Sequence, residues 1–226
     1  MWSYDPPRLA HWRPLLAVAS LVCLVGLAVD AVLIGAHRAG RLDRPVLTDD
    51  WRDDAFTPLM KGVTTAAEYP LIIGSLVVAL LLAWAALSWR PLALVVAAGL
   101  LSVAAASVAK SLADRVRPPR TYWLVHETGY SFPSRHTTMA AALLFVVAYL
   151  LCGRLRSSAA VAGVWTVAAV LVALVGTSRV YLGVHWATDV VGGFFVGSLV
   201  ALVLMGADLV VRSRRTNVRG AEGRPI

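Results

Sequence analysis

Charge is scarce in this chain. Only 15% of its 226 residues are Asp, Glu, Lys or Arg, against about 25% in an ordinary soluble domain. That shortage, with 58% hydrophobic residues and a mean hydropathy of +0.71, excludes a soluble globular protein. Lysine is nearly missing. Lys61 and Lys110 are the only two among 21 basic residues, and the rest are arginine. Arginine in place of lysine, with abundant Ala and Val, is what GC-rich coding produces and points to a bacterial source. Acid is scarcer than base, 13 residues against 21, which leaves a net charge of +8. Basic residues that flank membrane spans and meet anionic headgroups account for that surplus, so no nucleic-acid partner is expected. Cysteine is limited to Cys23 and Cys152, each inside an apolar run. Such a pair excludes a disulfide framework and a thiolate metal site, and reads as two small core residues. The first apolar segment is too long for a signal peptide and no small-residue cleavage site follows it, so a cleavable leader is not expected. There is no internal repeat.

Long apolar runs are present instead. Six segments reach or approach the length of about 18 residues that spans a bilayer: Leu15–Ile34, Leu71–Leu87, Leu92–Leu112, Thr137–Leu151 extended by Cys152, Ala159–Thr177 and Trp186–Val211. The fold class expected is an all-α integral membrane protein, a six-transmembrane-helix bundle with a surface segment in its first loop. Residues 1–14 form an N-terminal cytoplasmic segment, 15–211 the six-span domain, and 212–226 a basic disordered tail with five arginines. Trp2, Tyr4 and Trp12 suit an interfacial belt. The first loop, 36–69, is the longest polar connection. Within it Asp49–Ala67 has Thr48 as N-cap and Trp51, Phe56, Leu59, Met60 and Val63 as a rough amphipathic face, interrupted by Pro58 and Gly62. It reads as a lid-like segment on the membrane surface.

Six spans put both termini on one side. The turns at Arg90 and at Arg154 and Arg156 share that side with the arginine tail, and carry almost no acid. The positive-inside rule makes these ends cytoplasmic. The first loop and the connections 113–136 and 178–184 then share the other, extracytoplasmic face.

Three charged stretches meet on that face. Lys110–Pro118 reads KSLADRVRP, and Lys110 and Arg117 are two helical turns apart, on one face if the third span continues that far. Pro133–His136 reads PSRH at the entrance to the fourth span. Ser178–Asp189 reads SRVYLGVHWATD, and His185 and Asp189 are four apart at a helix start. Together they supply cations for a tetrahedral anion, two histidines, a carboxylate to orient one of them, and a hydroxyl beside a helix N-terminus that favours phosphate. A carboxylate-held imidazole is a competent nucleophile, and a second imidazole can protonate a leaving alkoxide. These parts fit two-step phosphoryl transfer without metal or cofactor.

The three stretches resemble the signature of the type 2 phosphatidic acid phosphatase family, the lipid phosphate phosphatases, which share their site with vanadium haloperoxidases. Lys110, Arg117 and Pro118 match its first motif. Pro133, Ser134 and His136 match its second. Ser178, Arg179, His185 and Asp189 match its third. The resemblance covers about Leu71 to Val211. It implies that His185 attacks phosphorus, Asp189 orients it, His136 protonates the leaving oxygen, and Lys110, Arg117, Ser134 and Arg179 hold the phosphate. Arg135 stands where the family has Gly, as a possible additional substrate contact or a side chain facing solvent. The implied substrate is an amphiphilic lipid phosphate: a polyprenyl diphosphate such as undecaprenyl diphosphate, phosphatidic acid or phosphatidylglycerol phosphate. The same residues would serve a lipid phosphotransferase, and the fold a non-catalytic lipid-binding membrane protein.

Other polar residues have plainer expectations. His11, His37 and His126 read as interfacial, Arg115 and Arg120 as headgroup contacts, and Tyr122, Trp123 and Tyr130 as interface anchors. Asp114 reads as a local ion pair, and Asp30 and Asp208 as interfacial acids.

Overall fold

The computed structural model describes residues 12–36, 38–44 and 52–222, with side chains through Arg214. Trp2, Tyr4, His11, His37, Thr48, Asp49 and Trp51 lie outside the described residues. In chain order the helices are α1 (Trp12–Gly35), the short α2 (Gly40–Asp43), α3 (Phe56–Ala66), α4 (Tyr69–Ala86), α5 (Arg90–Ala113), α6 (Arg135–Cys152), α7 (Ser158–Tyr181) and α8 (Ala187–Glu222), with a 3-10 turn at Arg120–Tyr122. Six of them, α1 and α4 to α8, are long and apolar enough to cross a bilayer. Helices satisfy every backbone group within one segment, which hydrocarbon demands.

Local chemistry sets the ends. Pro70 and Pro91 sit in the first turns of α4 and α5, where a missing N–H costs nothing. Ser157 caps α7, its hydroxyl accepting from the Ala160 amide. Leu87 and Asp114 take positive φ and close α4 and α5. Leu15, Val18, Leu21 and Val25 on α1, and Ile73, Val77, Leu81 and Trp84 on α4, face outward where lipid would lie.

Helix α6 is the central post. Its apolar window is 72% buried, against 11% to 33% for the other five spans. Ala140, Ala141 and Ala142 are wholly enclosed, and Leu143, Val146, Tyr149 and Leu150 continue the core into α8 through Ala201, Met205 and Leu209. The α6–α8 approach depends on absent side chains: a Cβ on Gly197 would lie 2.2 Å from the Thr138 carbonyl oxygen, and one on Gly193 2.7 Å from that of Ser134. That contact brings Ser134, at the head of α6, beside Asp189, at the head of α8.

Several boundaries differ from the sequence expectation. Helix α7 runs to Tyr181, so Ser178 and Arg179 stand on its last turn and not in a loop. The reversal waits for Gly183, whose φ of +74° a side chain would strain. Helix α5 stops at Ala113, so Lys110 and Arg117 share no helical face; the chain after Asp114 returns Arg117 to the site. The surface segment starts at Phe56, with Pro58 tolerated in its first turn, and α3 packs against α7. Helix α8 continues to Glu222, through the stretch expected to be disordered.

Asp30 and Asp208, expected as interfacial acids, are buried within the bundle. Asp208 pairs with Arg90, accepts from the Tyr149 hydroxyl and lies 3.4 Å from Arg212, a polar knot at the end of the bundle opposite the site. Cys23 and Cys152 are buried free thiols, as expected.

Candidate active site

Asp189 is wholly buried in the first turn of α8, and each of its carboxylate oxygens is used. Oδ2 accepts from the Trp186 amide at 2.8 Å and lies 3.3 Å from Nδ1 of His185. Oδ1 accepts from Nη1 of Arg115 at 2.6 Å and from the Ser131 hydroxyl at 3.4 Å. The Asp189 carbonyl accepts from the Ser134 amide at 2.9 Å, which ties the second and third sequence stretches together.

His185 is enclosed between α7 and α8. Asp189 takes its Nδ1–H, so Nε2 carries the lone pair, and Nη1 of Arg117 donates to that nitrogen at 3.1 Å. Burial, then the nearby charges of Arg117, Arg179 and Lys110, hold this imidazole well below its ordinary pKa. It is therefore neutral at pH 7, the state a nucleophile needs.

The cations converge as the motifs anticipated, by routes the spacing did not reveal. Arg117 donates to the Val184, Thr128 and Gly129 carbonyls, at 2.8, 3.0 and 2.9 Å. Lys110 reaches the backbone carbonyls of Tyr130 and Ser131. Arg179 is 1% exposed, and its guanidinium donates to the Thr64 hydroxyl and pairs with Glu127. Its Nε has no hydrogen-bond partner among the described residues. Ser134 caps α6 in position only, since its hydroxyl makes no cap bond and accepts from Thr137 at 3.1 Å.

Arg135 is exposed and makes no hydrogen bond or ion pair among the described residues, though its charge reaches Lys110 and Arg117. His126 is also exposed. Trp123 donates to the Pro118 carbonyl at 2.8 Å and stacks beneath Arg120.

Five residues of this cluster escaped sequence reasoning. Arg115 is not a headgroup contact: it bridges Asp189 and Asp43, each at 2.6 Å, from a largely enclosed position. Asp43 also accepts from the Thr188 amide and hydroxyl, at 3.1 and 3.0 Å. Glu127 lies between two site arginines, paired with Arg179 and 3.5 Å from Arg117. Burial alone would raise its pKa, but Arg179 and Arg117 outweigh burial and hold it below the usual carboxylate value. Thr64 and Glu68, four apart, reach Arg179 and His136 from α3 and the α3–α4 junction. One signal was available for the acids: by span parity, all fall on the face where the arginines collect.

The arrangement can accept an anion among guanidiniums, present a neutral imidazole to it, and offer a second imidazole. A six-span helical membrane protein with cations and histidines gathered at one end of the bundle is the class these observations define. Residues 90–210 match the PAP2 superfamily model, and the chain belongs to that family. Phosphatidylglycerophosphatase B of Bacillus subtilis (strain 168) is 44% identical over 109 residues, 48% of this chain and 53% of that protein. YbjG of Escherichia coli (strain K12), a candidate undecaprenyl-diphosphatase, is 38% identical over 77 residues, 34% of each chain. The chain thus matches about half of the first relative's length and a third of the second's. The crystal structure of a transmembrane PAP2-type phosphatidylglycerolphosphate phosphatase from Bacillus subtilis superposes with a TM-score of 0.69 and 31% identity, over 85% of this chain and 95% of that one.

Proposed function

We propose that the chain is a membrane lipid phosphatase that hydrolyses an amphiphilic phosphate ester through a phosphohistidine. The observation that carries the reading is the differential hold on His185: Nδ1 on Asp189, Nε2 toward Arg117. An incoming phosphoryl group takes the place of the Arg117 contact. Nε2 forms the P–N bond as the P–O bond to the lipid breaks, and His136 supplies the proton to the leaving oxygen. Water then attacks phosphorus on the opposite side, the P–N bond breaks, and the water's proton passes to His136. Lys110, Arg117, Ser134 and Arg179 carry the charge on the phosphoryl oxygens, which is the main protein contribution in such a transfer.

The substrate class is a phosphate monoester or a diphosphate of a lipid, with the headgroup among the cations and the tail between helices. The names of the relatives favour phosphatidylglycerol phosphate and undecaprenyl diphosphate within it. The termini are cytoplasmic and the site extracytoplasmic. The experiment is a phosphate-release assay in detergent over a prenyl diphosphate, phosphatidic acid and phosphatidylglycerol phosphate, with excess chelator present. Release by the wild type and loss of about 10³-fold or more in His185→Ala is the expected result. Unchanged release in that variant removes the nucleophile, and phosphate recovered on an acceptor lipid would make the protein a transferase.

A further inference from the structure

His185 and His136 are held with opposite ring polarity. In His185, Nδ1 meets the carboxylate and Nε2 faces Arg117. In His136, Nε2 meets a carboxylate, Oε1 of Glu68 at 2.9 Å, and Nδ1 is buried with no partner among the described residues. A buried ring nitrogen without a partner is costly unless a ligand completes it. Glu68 is well placed to act on this ring. Its amide donates to the Thr65 carbonyl at 3.2 Å and its carbonyl accepts from the Ile72 amide at 3.3 Å, so the backbone is pinned between α3 and α4. The environment also differs sharply across the pair: the His136 side chain is 3% exposed and that of Glu68 49%. One end of the hydrogen bond is sealed in the protein and the other is half exposed.

We infer that Glu68 is a positioning residue for the leaving-group step: it fixes His136 with Nδ1 toward the departing oxygen and connects that buried imidazole to solvent protons. The inference rests on the hydrolytic reading above. In the first half-reaction the P–O bond breaks and the leaving oxygen takes the proton from Nδ1, while Nε2–H stays on Glu68. In the second, Nδ1 receives the proton of the attacking water, and the ring is back in its starting state. Thr64, one helical turn before Glu68, holds Arg179, so the same short segment sets both the acid and one phosphate cation.

The test compares two substrates in detergent. A lipid phosphate has an alkoxide leaving group that needs the proton; 4-nitrophenyl phosphate leaves as a stable phenolate and does not. Glu68→Gln is expected to lower kcat/KM, which reports the steps up to leaving-group departure, by about 10- to 100-fold on the lipid phosphate, at or below the ~10²-fold lower end of general-acid effects, and to change kcat/KM on the aryl phosphate by less than about threefold. The double variant Glu68→Gln/His136→Ala should be no slower on the lipid phosphate than His136→Ala alone, because Glu68 acts through the ring. Equal losses on the two substrates, no loss on either, or additive losses in the double variant would each overturn the inference while the phosphatase reading stands. A wild type that releases phosphate from neither substrate overturns both.

Discussion

Arg117 donates to Nε2 of His185 at 3.1 Å, on the ring whose Nδ1 lies 3.3 Å from Asp189. Burial opposes protonation of the imidazole, and a guanidinium at that distance opposes it further; both hold the ring below its ordinary pKa of about 6.5. The neutral nucleophile therefore persists into mildly acidic solution. Arg117→Met should lower kcat/KM and also move its acid limb upward, toward pH 6.5, in a pH–rate profile. The stability consequence has a definite sign. The unfolded imidazole binds a proton near pH 6.5 and the folded one resists it, so the unfolded state holds more protons in that window and stability falls as pH drops below about 6.5. His185→Gln should flatten that part of the unfolding-midpoint profile.

Arg115 joins Asp189 to Asp43 across two bonds of 2.6 Å, and α2 to the head of α8 with them. Removing one partner of a buried pair leaves an uncompensated charge and costs about 3–5 kcal/mol. Arg115→Met strands two carboxylates, so it should lower the detergent unfolding midpoint and reduce kcat more than KM, by freeing Asp189 from its fixed orientation. Asp43→Asn keeps the Thr188 contacts and should cost less on both counts. Equal behaviour of the two variants would mean that Arg115 is not the pivot of this network.

The reach of the sequence can be seen in the same residues. Six spans, their parity and the three charged stretches were legible, because hydropathy over about 18 residues and fixed motif spacing are both one-dimensional signals. Lys110, Arg117, Ser134, His136, Arg179, His185 and Asp189 follow from them. Arg115 was quoted within the first stretch and still misread, since two residues of offset from Arg117 say nothing about which side chain turns inward once α5 has ended at Ala113. Asp43, Thr64, Glu68 and Glu127 arrive from connections whose path depends on tertiary packing, and a lone acid in a polar loop has no spacing to announce it. Helix α7 outran its apolar segment because Arg179 finds Thr64 and Glu127 inside the protein, contacts that hydropathy scores only as charge.

Glu127 lies between Arg179 and Arg117, where a phosphate would otherwise meet the same two guanidiniums. Both arginines depress its pKa, so it is ionised at neutral pH and an incoming anion has to displace a carboxylate. Glu127→Gln removes that competitor and nearly preserves the side-chain volume. Inhibition by inorganic phosphate or orthovanadate should strengthen by about tenfold, equivalent to about 1.4 kcal/mol. The effect should shrink at lower pH, where the wild-type carboxylate protonates. Weaker inhibition in the variant would show instead that Glu127 is needed to hold the arginines in place.

The orientation of the bundle can be decided with a single thiol. Cys23 and Cys152 are both buried, so the wild type offers little background to a hydrophilic maleimide, and Cys23→Ser/Cys152→Ser removes what there is. His126 is exposed in the connection between α5 and α6, on the face that holds His185, and makes no hydrogen bond or ion pair among the described residues. His126→Cys in the cysteine-free background should thus leave activity intact. The turn between α6 and α7, with Arg156 exposed, serves as the opposite marker. The proposed orientation puts that end in the cytoplasm, because the turns at Arg90, Arg154 and Arg156 are basic and contain no acidic residue in sequence. A membrane-impermeant maleimide applied to intact cells should therefore label His126→Cys and spare Arg156→Cys, and permeabilisation should expose the second. Labelling in the reverse order would place the phosphate-releasing face in the cytoplasm, and with it the pool of lipid from which the substrate is drawn.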